Sequence, residues 1–213
     1  MNKFLTATLA AGVAVTLAGA ASAATLDFIA FAAGNEQGVA DGTTLNFDGL
    51  DVTFSAGPGG VGADYAYFDD LSGGKPAGLG VCTTLTSSAQ CNPSSDDNIS
   101  MDGSTGPEWV TLTFGDTLSS FMVTSFYDAS HNSLATSNDT LFINGTEYTF
   151  AAALGVDFGG TDSVEFLYGG TSASQFYVGG VEASIVPVPA ALPLLLAGIG
   201  GLGFMARRKR KAT

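Results

Sequence analysis

Leu141-Phe142-Ile143-Asn144-Gly145-Thr146-Glu147-Tyr148-Thr149-Phe150 decides the fold. Its two arms are rich in β-branched and aromatic residues, which pack well on a pleated surface. Between them stands Asn-Gly, the pair that most readily takes the two positive φ angles of a type I′ turn. Two strands should therefore fold back tightly on one another. The same chemistry recurs on either side. Trp109-Val110-Thr111-Leu112-Thr113-Phe114 and Phe121 to Tyr127 precede the hairpin; Ser163 to Tyr168, Gln175 to Val178 and Val181 to Val186 follow it. Further upstream, Leu26, Phe28 and Ala30 alternate with Asp27 and Ile29, and Val52-Thr53-Phe54 and Tyr65-Ala66-Tyr67-Phe68 come next. Gly, Asp, Asn and Ser separate these bursts, and no amphipathic helix of three turns is legible between Ala24 and Ile185. About nine or ten short strands with such turns predict an all-β domain, an antiparallel β-sandwich of jelly-roll type.

The flanks differ in kind from this middle. Seven basic side chains face twenty acidic ones, a formal charge of −13 over 213 residues. Lys3 lies near the start, and Arg207, Arg208, Lys209, Arg210 and Lys211 lie at the end. Lys75 is left alone in the middle against all twenty carboxylates, so residues 24–185 carry −19. Such a surface repels phosphate backbones, which need clustered Lys and Arg, and this excludes nucleic acid as a partner. About 160 residues suffice for one core and are too few for two ordinary domains.

Met1 to Ala23 has the three zones of a secretory signal peptide: Lys3, an uncharged apolar run from Phe4 to Ala20, and the small-x-small site Ala21-Ser22-Ala23. Cleavage after Ala24 is the alternative. The protein is expected to be exported. At the other end nothing from Val186 to Ala206 is ionisable, and five basic residues follow. These 21 positions, at about 1.5 Å each, reach roughly 30 Å as a helix, one hydrocarbon thickness. Pro187 and Pro189 keep the approach extended, and Pro193 suits the first turn. The basic cluster favours the cytoplasmic side, which leaves the acidic domain outside. The chain thus divides into a leader (1–23), an acidic β-sandwich (24–185) and a C-terminal anchor segment (186–213).

That order of parts, with Val186-Pro187-Val188-Pro189-Ala190 at the head of the tail, resembles the PEP-CTERM class of bacterial sorting signals. The motif is most similar to the VPLPA-CTERM variant, with Val188 where Leu is usual. Ala191-Leu192-Pro193-Leu194-Leu195-Leu196-Ala197-Gly198 and Gly200-Gly201-Leu202-Gly203 continue the pattern. The resemblance implies recognition by an exosortase, a multipass membrane peptidase-transpeptidase. Processing near the motif would follow, with delivery to the cell surface or extracellular matrix. It covers about 28 residues and is silent on what the domain binds.

Few residues in the middle carry chemistry. Cys82 and Cys91 are the only cysteines, and in an exported chain an even count points to a disulfide. Asp96, Asp97, Asn98 and Asp102 cluster just after Cys91 and are the candidate Ca²⁺ ligands, since Ca²⁺ takes several hard oxygens in flexible geometry; the competing reading is a solvated turn. His131 is the only histidine, read as an exposed loop residue on Asp128-Ala129-Ser130-His131-Asn132-Ser133. No nucleophile elbow accompanies it, so no catalytic residue is assigned. Adjacent Asp69 and Asp70 would point to opposite faces of a strand, a poor acid–base couple. Trp109, Tyr65, Tyr67, Tyr127 and Tyr177 are either core or platforms for sugar rings. The function expected is that of a non-enzymatic structural, adhesive or polysaccharide-binding surface module. The alternative is a secreted hydrolase of extracellular polysaccharide.

Overall fold

The Asn-Gly turn forms as its backbone chemistry dictates. In a computed structural model, which describes residues 23–57, 64–70, 74–102 and 106–185, Asn144 and Gly145 take φ of 49° and 73°. They join β11 (Thr140–Ile143) to β12 (Thr146–Thr149) in antiparallel register. This hairpin borders a six-stranded sheet completed by β3 (Thr43–Phe47), β4 (Leu50–Gly57), β9 (Trp109–Phe114) and β13 (Ser163–Tyr168). Its order is β12-β11-β13-β9-β4-β3.

The second six-stranded sheet is organised by β14 (Phe176–Ile185). One edge of β14 takes β10 (Leu118–Asp128) along its whole length. Its other edge takes β1 (Ala23–Asp27) and then, through Val178 and Leu79, β6 (Gly78–Cys82). Beyond β6 lie β5 (Tyr65–Asp69) and β2 (Gln37–Ala40). A two-residue ribbon pairs β7 (Met101–Asp102) with β8 (Gly106–Pro107). All strand pairings between these elements are antiparallel, so the all-β expectation holds, and the two sheets enclose one apolar core.

That core joins Leu26, Phe68, Leu79 and Val178 of one sheet to Phe54, Leu112, Val164 and Phe166 of the other. Two groups of rings stand out within it. Phe28 meets Phe47, Phe54 and Phe68 at centroid distances of 5.7, 6.2 and 5.9 Å. Phe126 meets Phe150, Phe166 and Phe176 at 5.2, 6.2 and 6.0 Å.

Local chemistry redraws several boundaries. The alternation from Leu26 stops at Asp27, whose carboxylate caps a one-turn helix, α1 (Phe28–Ala32), by accepting from Ala30 N–H at 2.9 Å. Phe150 likewise leaves the hairpin to begin α2 (Phe150–Ala153), capped by Thr149. The two strands expected around Gly179-Gly180 are one strand, β14. There a Cβ on Gly179 would stand 2.3 Å from Ser125 Oγ, so the glycines allow close passage of β10 and do not break the strand. β2, β3, β6 and the β7–β8 ribbon have no counterpart among the strands expected from sequence.

Tyr67, Cys82 and Cys91 form a second, smaller cluster with Leu85, apart from the core. It lies on the outer face of the β14-centred sheet, beneath the loop that follows β6. Cys82 and Cys91 are disulfide-bonded with Cα atoms 5.8 Å apart. Closing so short a loop stabilises the fold by about 2–3 kcal/mol, mainly by restricting the unfolded chain. Among the described residues no helix is long and apolar enough to cross a membrane. Val186, Pro187, Val188, Pro189 and Ala190, the basic run Arg207 to Lys211, and all of the leader except Ala23 lie outside the described residues.

Candidate functional site

Three strands lay out the site. Tyr67 of β5 pairs with Gly80 of β6, and Asp69 with Gly78. Because Val178 pairs with Leu79, Tyr177 comes beside Gly80 from the other side. Side chains two apart on a strand share a face. Tyr67 and Asp69 therefore stand together on the outer side, while Ala66 and Phe68 enter the core. Gly80 leaves a trough between the two tyrosines, and the Asp97–Asn98 backbone lies in it. Backbone bonds between Ile99 and Phe176, 2.8 and 3.1 Å, hold that segment down.

The result is a cleft of ≈ 510 Å³ bordered by Glu36, Asp69, Asp97, Asn98, His131 and Tyr177. Tyr177 Oη donates to Asp97 Oδ1 at 2.5 Å. Tyr67 Oη donates to Glu36 Oε1 and accepts from Cys91 N–H at 3.2 Å, which ties the disulfide loop to the site. Glu36 immediately precedes β2, whose first registered pair is Gln37 with Phe68, so it arrives next to Asp69. His131 comes from the turn after β10, where Asp128 Oδ1 accepts from Ser130 and Asn132 N–H, both at 2.8 Å. Its ring packs edge-on to Tyr177 at 5.4 Å. Nδ1 lies 3.2 Å from the Lys75 carbonyl oxygen and Nε2 3.2 Å from Asp69 Oδ2.

Burial, then the charges of Asp97 and Glu36, push the Asp69 carboxyl up to about 7 against a Tyr177 hydrogen bond. Burial also raises Asp97 and both tyrosines, so the two hydroxyls stay donors. Four carboxylates, those of Glu36, Asp69, Asp70 and Asp97, thus border the cleft with no Lys or Arg among them. Two buried oxygens here, Asp69 Oδ2 and Asn98 Oδ1, have no hydrogen-bond partner among the described residues. For Asp69 Oδ2 the imidazole is near enough for an ion pair without being aligned for a hydrogen bond.

Another buried acid, Glu108, is not part of the cleft lining. Glu108 Oε2 accepts from Ser100 N–H and Oγ at 2.7 and 2.8 Å, whereas Oε1 has no partner among the described residues. Burial pushes its carboxyl from 4.5 up to about 7 against these bonds, and Asp96 and Asp64 add like charge. The folded value lies above the unfolded one. Glu108 therefore contributes stability that is complete below about pH 4.5 and is lost as pH rises through about 7. We expect wild-type Tm, measured in chelator, to fall between pH 5 and pH 8. Glu108→Gln should remove about 2 kcal/mol of that fall, roughly 4–8 °C, and an unchanged slope would refute the assignment.

The structure divides the residues singled out from sequence. Asp97 and Asn98 line the cleft. Asp96 does not: its carboxylate accepts from Thr83 N–H at 3.3 Å and from Thr83 Oγ1. The Asp102 side chain lies outside the described residues. His131 is not an exposed loop residue, its side chain being 10 % accessible. Asp69 and Asp70 border the same cleft despite their adjacency, because Asp70 lies past the end of β5, where it accepts from Gly34 N–H at 2.8 Å. Tyr67 and Tyr177 are fully buried and present no face to a sugar, while Trp109, Tyr65 and Tyr127 are half-buried. Among the described residues, the one trio of carboxylate, imidazole or sulfur ligand atoms within 4.8 Å is Cys82, Cys91 and Asp96. Its sulfurs are already joined to each other. Glu36 carries no sequence signal of a site, and Asp69 stands out in the sequence only as the neighbour of Asp70. Against known protein families, curated proteins and solved structures, the chain finds no match.

Proposed function

We propose that this chain is an exported surface or extracellular-matrix protein, sorted by an exosortase-type membrane peptidase. Its domain, a jelly-roll-like sandwich, acts as an adhesive or polysaccharide-binding module. The observation that carries this reading is the tail, where Val186-Pro187-Val188-Pro189-Ala190 leads into an apolar run and five basic residues. A disulfide-bonded β domain suits the oxidising exterior to which such a tail would deliver it. The polar cleft on its outer face supplies carboxylate and amide groups for hydroxyl-rich ligands.

A second reading, a hydrolase of extracellular polysaccharide, is favoured by one feature. Asp69, raised to about 7 beside Asp97 and His131, has the make-up of a general acid at neutral pH. One preparation separates the two. The exported protein, taken from the envelope in mild detergent, is weighed intact, printed against a glycan array and assayed for reducing ends. Truncation near Val186–Ala190 with glycan binding and no turnover is the expected result. Turnover would replace the module with the hydrolase, and an intact C-terminus in an exosortase-bearing host would refute the sorting step.

A further inference from the structure

We propose that the cleft on the outer face of the β14-centred sheet binds a hard divalent cation, Ca²⁺, through Asp69, Asp97 and the amide oxygen of Asn98. The inference goes beyond glycan binding and stands whether or not a sugar binds.

The first support is a pair of oxygens with nothing to receive. Asn98 is 4 % accessible and Asp69 7 %, yet Asn98 Oδ1 and Asp69 Oδ2 lack hydrogen-bond partners among the described residues. The other end of the amide is occupied weakly, Asn98 Nδ2 lying 3.4 Å from Asp97 Oδ1. Oxygens sealed from water almost always find a donor, so two orphans bordering one cleft point to a missing positive centre.

The imidazole sharpens the point. His131 Nε2 stands 3.2 Å from Asp69 Oδ2 without being aligned to donate to it, while Nδ1 faces the Lys75 carbonyl oxygen at 3.2 Å. No Lys or Arg borders the cleft to supply the charge. Lys75, the only one in residues 24–185, donates to Asn132 Oδ1 at 2.8 Å and does not border the cleft. Glu36 and Asp70 add further carboxylates to the lining.

Donor type selects the ion. Carboxylate and amide oxygens are hard ligands and suit Ca²⁺ over metals that prefer sulfur and nitrogen. The cleft does not gather three carboxylate or imidazole ligand atoms within 4.8 Å. The protein therefore provides few ligands, and water completes the shell. That places the affinity at the weak end for Ca²⁺ sites, about 10⁻⁴–10⁻³ M, as in extracellular modules.

The full chain in detergent, stripped with chelator at pH 7.5, is titrated with CaCl₂, MgCl₂ and ZnCl₂ by calorimetry and thermal melting. The expected result is a Ca²⁺ Kd of about 10⁻⁴–10⁻³ M and a Tm rise of about 4–8 °C at saturation. Asp97→Asn and Asp69→Asn should each abolish the response. They should leave the stripped protein at least as stable as wild type, since each relieves crowding among Glu36, Asp69 and Asp97. Asp96→Asn, outside the cleft, should keep the full response. No heat and no Tm shift with wild type would overturn the site, as would a response to Zn²⁺ alone. Survival of the response in both cleft variants, or its loss in Asp96→Asn, would also overturn it.

Discussion

Gly80→Ala is expected to cost about 3 kcal/mol, lowering Tm by roughly 6–12 °C, and to dismantle the cleft at the same time. Its backbone angles are not the reason. Gly80 sits in the middle of β6, where any residue could adopt strand geometry. A Cβ there would stand 2.0 Å from the Asp97 carbonyl oxygen and 2.9 Å from the Asn98 Cα. Both are backbone atoms, so no rotamer change relieves the clash. Either β6 moves away from β5 and β14 or the Asp97–Asn98 segment lifts. Lifting pulls Asp97 Oδ1 from Tyr177 and strains the Ile99–Phe176 bridge. Gly115→Ala is the control. Gly115 has ordinary φ and nothing within 4 Å of its added Cβ, so its stability should stay within about 0.5 kcal/mol of wild type. Chemical denaturation of both variants, with the Tyr177 hydroxyl followed by NMR, measures the two effects together. Equal stability of Gly80→Ala and Gly115→Ala would show that the loop does not rest in the trough.

The same glycine marks the limit of what the sequence discloses. Strands with unbroken alternation and local turn chemistry were legible: Trp109 to Phe114 and Ser163 to Tyr168 are β9 and β13 to the residue. The Asn144-Gly145 turn carried its own geometry. Gly78-Leu79-Gly80-Val81-Cys82 reads as punctuation, because glycine weakens a strand when nothing compensates. Here the compensation is tertiary: every residue of β6 is buried, with sheet packing on one face and the disulfide loop on the other. Gly179-Gly180 misled for the same reason. The cleft was half legible. Asp97 and Asn98 stood out as neighbours in a polar loop. Glu36, Asp69 and His131 come from three distant segments, joined only by the β2–β5 register and the turn after β10. Apolar periodicity reports which face of a strand is buried, not which strands are neighbours. A carboxylate brought in by long-range pairing leaves no local trace.

The most damaging single change to the core should be Phe126→Ala, at about 3–5 kcal/mol and a Tm loss on the order of 10 °C. Phe126 is fully buried on β10, and its three ring partners come from different elements: Phe150 on α2, Phe166 on β13 and Phe176 on β14. Truncation removes transfer free energy and opens a cavity. Rings fixed by two sheets and a helix can collapse into it only in part. Phe176 also carries the bridge to Ile99, so the damage should reach the Asp97–Asn98 segment. Phe31→Ala supplies the contrast, since Phe31 is half-buried at the margin and should cost clearly less. A gentler pair tests how the core is connected. Phe28 and Phe126 share no ring partner. Phe28→Leu and Phe126→Leu should therefore add within about 0.5 kcal/mol when combined, by urea denaturation. Phe126→Leu with Phe166→Leu should fall short of additivity, because each has already loosened the other's cavity. Additivity in the second pair, or strong coupling in the first, would mean that the rings do not pack as two separate groups within one core.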